Sequence, residues 1–152
     1  MRRLLSAAVL ALGFAGSAFA AEGERVQVKG EIIDTWCYFS GVMGAPESVT
    51  GSAHHTCVLW CAAGGIPVGL LAEDGTVYMV LKIEDDDNTN GGDGLLTIAS
   101  HEITAEGMHY VRDGVNYLVV EEVVADAGIV NLSHEDYDVI PPFAVSKKWV
   151  NK

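Results

Sequence analysis

From Arg25 to Asp34 the chain reads RVQVKGEIID, apolar and polar residues alternating with the period of two that turns one face of a strand toward a core. The alternation then stops. Thr35-Trp36-Cys37-Tyr38-Phe39-Ser40 opens a stretch rich in Gly, Pro and Ser that runs to Ser52, and Ala53 to Ala63 reads as a short helix ended by Gly64-Gly65 and Ile66-Pro67. The β pattern resumes in Val68 to Ala72 and Thr76 to Ile83, which flank Glu73-Asp74-Gly75, a turn of the Asp-Gly type that marks a hairpin. A polar run from Glu84 to Gly94 interrupts, and Leu95 to Ser100 fits either one helical turn or a strand extension. Glu102 to Val111 and Val115 to Val124 then flank Arg112-Asp113-Gly114 as a second hairpin.

Five strands, a long insertion at about 35–67 after the first, and a break between the third and fourth match the order of an OB-like barrel. The expected fold is therefore mainly β: one five-stranded barrel with a short helix in its first connection. An open β-sandwich or another small barrel shares the pattern. The remainder, about 125–152, reads as an extended tail packed along the barrel through Ile140, Phe143, Val145 and Trp149.

The first twenty residues carry a different signal. Arg2-Arg3, an apolar run from Leu4 to about Gly16 and the small-x-small site Ala18-Phe19-Ala20 read as a cleaved export peptide, too short to stay as a bilayer span of about 20 apolar residues. Cleavage leaves Ala21 to Lys152, a length that suits one domain, without membrane insertion and in the periplasm or outside the cell. Formal charge is −12 for the whole chain, and losing Arg2 and Arg3 makes it −14. Such a balance repels phosphate backbones, so nucleic acid is a poor partner; metal cations and neutral or cationic proteins are better ones.

The chemistry concentrates between Cys37 and Cys61, which hold all three cysteines. In His54-His55-Thr56-Cys57-Val58-Leu59-Trp60-Cys61, a turn of ~100° per residue puts His54, Cys57 and Cys61 within about 60° on one helix face, while His55 points elsewhere. With Cys37 arriving after the first strand, three sulfurs and an imidazole form a Cys3His ligand set. Thiolate and imidazole ligands at about 2.0–2.3 Å suit Zn²⁺ in tetrahedral geometry, and the soft sulfurs suit Cu(I) as well. Metal ligation also explains an odd thiol count in an exported chain, where cysteines usually pair. The alternatives are a disulfide from Cys37 to Cys57 or Cys61 with one thiol left over, inert buried thiols, or a cysteine nucleophile activated by His54, which lacks an orienting third group. Trp36, Tyr38, Phe39 and Trp60 read as core or lid; exposed together they would make a docking patch.

The pattern Cys37-Tyr38, then His54-x-x-Cys57-x-x-x-Cys61, then Gly64-Gly65-Ile66-Pro67-Val68-Gly69-Leu70-Leu71 before an Asp-Gly hairpin resembles small exported bacterial proteins with an OB-like domain, most of them uncharacterised. The resemblance spans Val26 to about Val124 and implies the fold and the grouping of Cys37, His54, Cys57 and Cys61, with no activity attached. The C-x-x-x-C spacing with a separate histidine is also similar to the copper-binding arrangement of cytochrome-oxidase assembly factors, whose thioredoxin fold is missing here.

A weaker pattern follows the third strand. Asp86, Asn88 and Asn90, with Gly91, match the first half of a calcium loop, but Thr97 stands where the bidentate Glu belongs, so a solvated acidic connector is the plainer reading. His101, His109 and His134 read as surface residues. Three function classes result: a metal-binding or metal-handling protein, an interaction module for another periplasmic protein, and a thiol redox protein, the last weakened by the absence of C-x-x-C. No catalytic residue is assigned, and none of these features requires an enzyme.

Overall fold

The computed structural model describes residues 22–83 and 93–132. The expected export peptide, the residues of the calcium-loop pattern Asp86, Asn88, Asn90 and Gly91, and His134 with the tail lie outside them. Five strands, β1 (Glu24–Asp34), β2 (Val68–Ala72), β3 (Val77–Ile83), β4 (Glu102–Arg112) and β5 (Val115–Asp126), close a barrel in the order β1-β2-β3-β5-β4. β1 closes it by serving two neighbours. Its residues Glu24–Glu31 pair antiparallel with β4, and Gly30–Asp34 pair antiparallel with β2. β3 runs parallel to β5, and the two hairpins β2–β3 and β4–β5 are antiparallel, as an OB-like barrel requires.

Local sequence explains the corners. Asp113 and Gly114 both take positive φ, 52° and 80°, so the tight β4–β5 turn has the backbone that an Asp-Gly pair supplies most readily. At Gly107, where the β4–β5 register shifts, a Cβ would collide with the Val119 carbonyl, so only glycine admits the bulge. Inside, Val28, Ile32, Val68, Leu70, Val80, Ile103, Ala105, Leu118 and Val120 form one buried cluster, each contributed by the inward face of its strand. The segment left open by sequence becomes a short helix, α3 (Asp93–Thr97), with Leu95 and Ile98 joining that cluster.

Two helices occupy the β1–β2 connection, α1 (Thr35–Ser40) and α2 (Gly51–Ala63), with a 3₁₀ turn at Pro46–Val49 between them. α2 ends in a Schellman motif. Gly65 adopts φ 88°, its N–H reaches the Ala62 carbonyl at 2.9 Å, and the Ile66 N–H reaches Cys61 at 2.9 Å. At the other end the Gly51 N–H donates to a Glu31 carboxylate oxygen of β1, and the Ser52 N–H donates to the Asn131 carbonyl at 2.8 Å. The helix therefore borrows its caps from the barrel wall and the chain after β5. No helix among the described residues is long and apolar enough to cross a membrane.

Candidate metal centre

Asp34 is the residue on which the centre turns. It is the last residue of β1, paired with Val68, and it also N-caps α1: one carboxylate oxygen, Oδ1, accepts the Trp36 N–H at 2.8 Å and the Cys37 N–H at 3.3 Å. Capping fixes the carboxylate and, through the same turn, the direction of the Cys37 side chain. The second oxygen, Oδ2, faces the thiols. It lies 3.9 Å from Cys57 Sγ, which in turn lies 3.9 Å from Cys37 Sγ and 3.8 Å from Cys61 Sγ. One ligand atom from each of Asp34, Cys37, Cys57 and Cys61 falls within 4.8 Å of every other, so this Cys3Asp cluster could hold a metal ion.

The spacings are compatible with a tetrahedral site. Four ligands at a zinc–sulfur distance of about 2.3 Å leave tetrahedral edges of ~3.8 Å, and both observed sulfur–sulfur edges match. All three cysteines are free, and these separations far exceed the bonded distance of about 2.05 Å in a disulfide.

Electrostatics set the protonation of these groups. Burial pushes the Cys37 thiol up to about 12, and the neighbouring Asp34 carboxylate and Cys57 add to the rise. Cys61 is raised too, by burial first and then by Asp34 and Cys57. Burial also pushes the Asp34 carboxyl up, but hydrogen bonds from the Cys61 and Cys37 thiols and from the Cys37 and Trp36 N–H groups outweigh it and hold the carboxyl below its ordinary value. The pocket thus keeps one negative charge and resists a second. From Gly30 to Leu81 the sequence offers no Lys or Arg to relieve that repulsion. A cation at the centre would offset that charge, and a thiol that coordinated it would be deprotonated.

Of the residues marked by sequence, the structure brings Cys37, Cys57 and Cys61 together and makes Asp34, rather than His54, the fourth member of the group. His54 is buried beside it, with Nε2 3.7 Å from Asp34 Oδ2 and without a hydrogen-bond partner for that nitrogen among the described residues. His54 is buried, as its place on the helix face with Cys57 and Cys61 led one to expect, and the strand-end carboxylate of Asp34 joins the three sulfurs in the group. The missed signal was an Asp at the end of an alternating strand, immediately before Thr-Trp-Cys, which is an N-cap pattern.

The other described histidines have other partners. His55 Nδ1 meets the Ala99 carbonyl at 3.0 Å, His101 Nδ1 meets the Asp126 carboxylate at 2.9 Å, and His109 Nε2 meets Asn116 Oδ1 at 3.0 Å. Thr97, the last position of the calcium pattern, is exposed and donates to the Gly94 carbonyl at 2.7 Å. The aromatic residues depart from the core reading: Trp36 is 61% exposed, Phe39 63% and Trp60 76%, with Val42 and Met43 exposed beside them in sequence, while Tyr38 is half-buried. The helix faces that carry Cys37 and Cys61 point those neighbours outward. No family model, curated protein or solved structure matches this chain.

Proposed function

We propose that this is an exported metal-binding protein in which Cys37, Cys57, Cys61 and Asp34 hold one Zn²⁺ ion that fastens the β1–β2 insertion to the barrel. The observation that carries the reading is the pair of sulfur–sulfur separations, 3.9 and 3.8 Å, on thiols drawn from two separate helices. A carboxylate oxygen as fourth donor fits borderline Zn²⁺ better than Cu(I), which favours sulfur alone. Four protein ligands make a closed, structural site. Export is supported by the charged, apolar and small-x-small order of residues 1–20.

Partial exposure of Cys57 and Cys61 favours a second reading, in which the three thiolates carry Cu(I) as cargo to or from another exported protein. The two are separated by loading metal-free protein with equimolar Zn²⁺ and with Cu(I) under reducing conditions, then measuring stoichiometry by native mass spectrometry and affinity by chelator competition. The zinc reading expects one tightly held Zn²⁺, lost in Cys57→Ser, and a lower thermal midpoint after chelation. Retention of Cu(I) against the same zinc-loaded sample, with no change of midpoint on zinc removal, would replace it with the cargo reading. Failure to retain either ion would end both.

A further inference from the structure

α1 serves a second feature. Its Tyr38 and Phe39 line a cleft of ≈590 Å³ together with Met79 of β3 and Val115, Asn116 and Tyr117 of β5. That volume lies inside the range of about 300–1,000 Å³ typical of small-molecule sites. The turn glycines Gly75 and Gly114, with φ of 84° and 80°, also line it, and a Cβ at either would meet nothing within 4 Å.

The lining defines the ligand's chemistry. Although 20% of the chain is charged, no Asp, Glu, Lys, Arg or His lines this cleft among the described residues. Three of its residues are aromatic, and Phe39 stands 63% exposed at the lip, edge-on to Tyr38 with centroids 5.5 Å apart and planes at 87°. The polar groups it brings are neutral: two phenol hydroxyls and the Asn116 amide, whose Oδ1 accepts from His109 Nε2 at 3.0 Å and whose NH₂ remains a donor. Among the described lining residues a carboxylate or phosphate finds no cation, and an ammonium finds no carboxylate. A sugar would press several hydroxyls on Met79 and Val115, leaving them without partners. A flat ring with one hydrogen-bonding oxygen suits both the aromatic faces and the single amide.

We infer that this cleft binds a neutral aromatic small molecule, seated against Phe39, Tyr38 and Tyr117. The inference goes beyond the metal reading and does not depend on it. The test titrates zinc-loaded and chelated samples of the same protein with N-phenyl-1-naphthylamine, a neutral dye that brightens in apolar surroundings, and then competes it with 2-naphthol or with 2-naphthoate. The expected result is saturable one-site emission, displaced by 2-naphthol and about tenfold less well by the charged 2-naphthoate. Phe39→Ala and Tyr117→Ala should each weaken dye binding by about tenfold with unchanged circular dichroism. Phe39 is mostly in solvent, so its removal does not threaten the fold. No saturable emission in either sample, indifference to both substitutions, or equal competition by 2-naphthoate overturns the inference. Dye binding by a protein that retains no zinc would sink the metal reading and leave this one standing.

Discussion

The barrel and its first insertion are built on different physics. In the barrel, residues such as Leu70 and Leu118 are wholly buried, strand partners satisfy the backbone, and every corner has the residue its geometry needs. The insertion presents Trp36, Phe39, Val42, Met43 and Trp60 to solvent and buries only a few apolar side chains, among them Val49, Val58 and Ala62. It is held by polar links instead: the Asp34 cap, the Thr35 hydroxyl on the Pro67 carbonyl, Glu31 on the Gly51 N–H, and the cluster of thiols. An isolated six-residue helix such as α1 is far too short to be stable in water. The difference teaches that burial folds the barrel, while the insertion is tied down mainly by polar links, among them a Cys3Asp group that could hold a metal ion.

The comparison breaks first where burial is removed. Leu118→Ala should destabilise the protein by about 2–5 kcal/mol in urea unfolding, with zinc stoichiometry unchanged at concentrations where the variant remains folded. A comparable loss of zinc binding would mean the two regions are not separable. Cys57→Ser attacks the other side: it removes the sulfur that stands nearest both other thiols, so zinc retention should vanish and the thermal midpoint should fall to that of chelated wild type. At a thousandfold excess of free zinc over its dissociation constant, that difference corresponds to about 4 kcal/mol.

A pair of substitutions divides the work of Asp34. Asp34→Asn keeps a capping oxygen and should leave the metal-free protein nearly as stable, whereas Asp34→Ala should cost it about 1 kcal/mol. Both should weaken zinc beyond the ~10–100-fold expected of a merely outer partner, measured by chelator competition.

Glu31 gives the pH dependence. Burial raises its pKa, against the lowering by the Gly51 N–H and Asn131, so the folded state holds this proton more tightly than the unfolded chain. Stability contributed by the protonated group is complete below the unfolded value of 4.5 and is lost as pH rises through the raised folded value. Glu31→Gln removes that loss, so its unfolding free energy relative to wild type should climb as pH increases from about 4.5 toward neutrality. A flat difference curve would place Glu31 in solvent. Smallest of all, Trp60→Ser at a 76% exposed position should change stability by no more than about 0.5 kcal/mol and leave zinc in place.

The barrel was legible because its signals are local. Alternation marked the strands, and Asp-Gly pairs at 74–75 and 113–114 marked both hairpins. Helical spacing also brought Cys57 and Cys61 together, and their sulfurs do meet at 3.8 Å. Asp34 was harder to read because its role is tertiary: a strand end becomes a ligand only when the turn after it brings α2 alongside. The exposure of Trp36 and Trp60 was hidden for a related reason, since a short helix cannot tell from its own sequence which face the barrel will cover.

The most direct measurement is X-ray absorption at the zinc edge of the loaded, full-length protein. Three sulfurs at about 2.3 Å and one oxygen at about 2.0–2.2 Å, without the outer-shell scattering of an imidazole, is the predicted spectrum. Imidazole scattering would return His54 to the coordination shell in place of Asp34, and a shell with fewer than three sulfurs would contradict the centre described here.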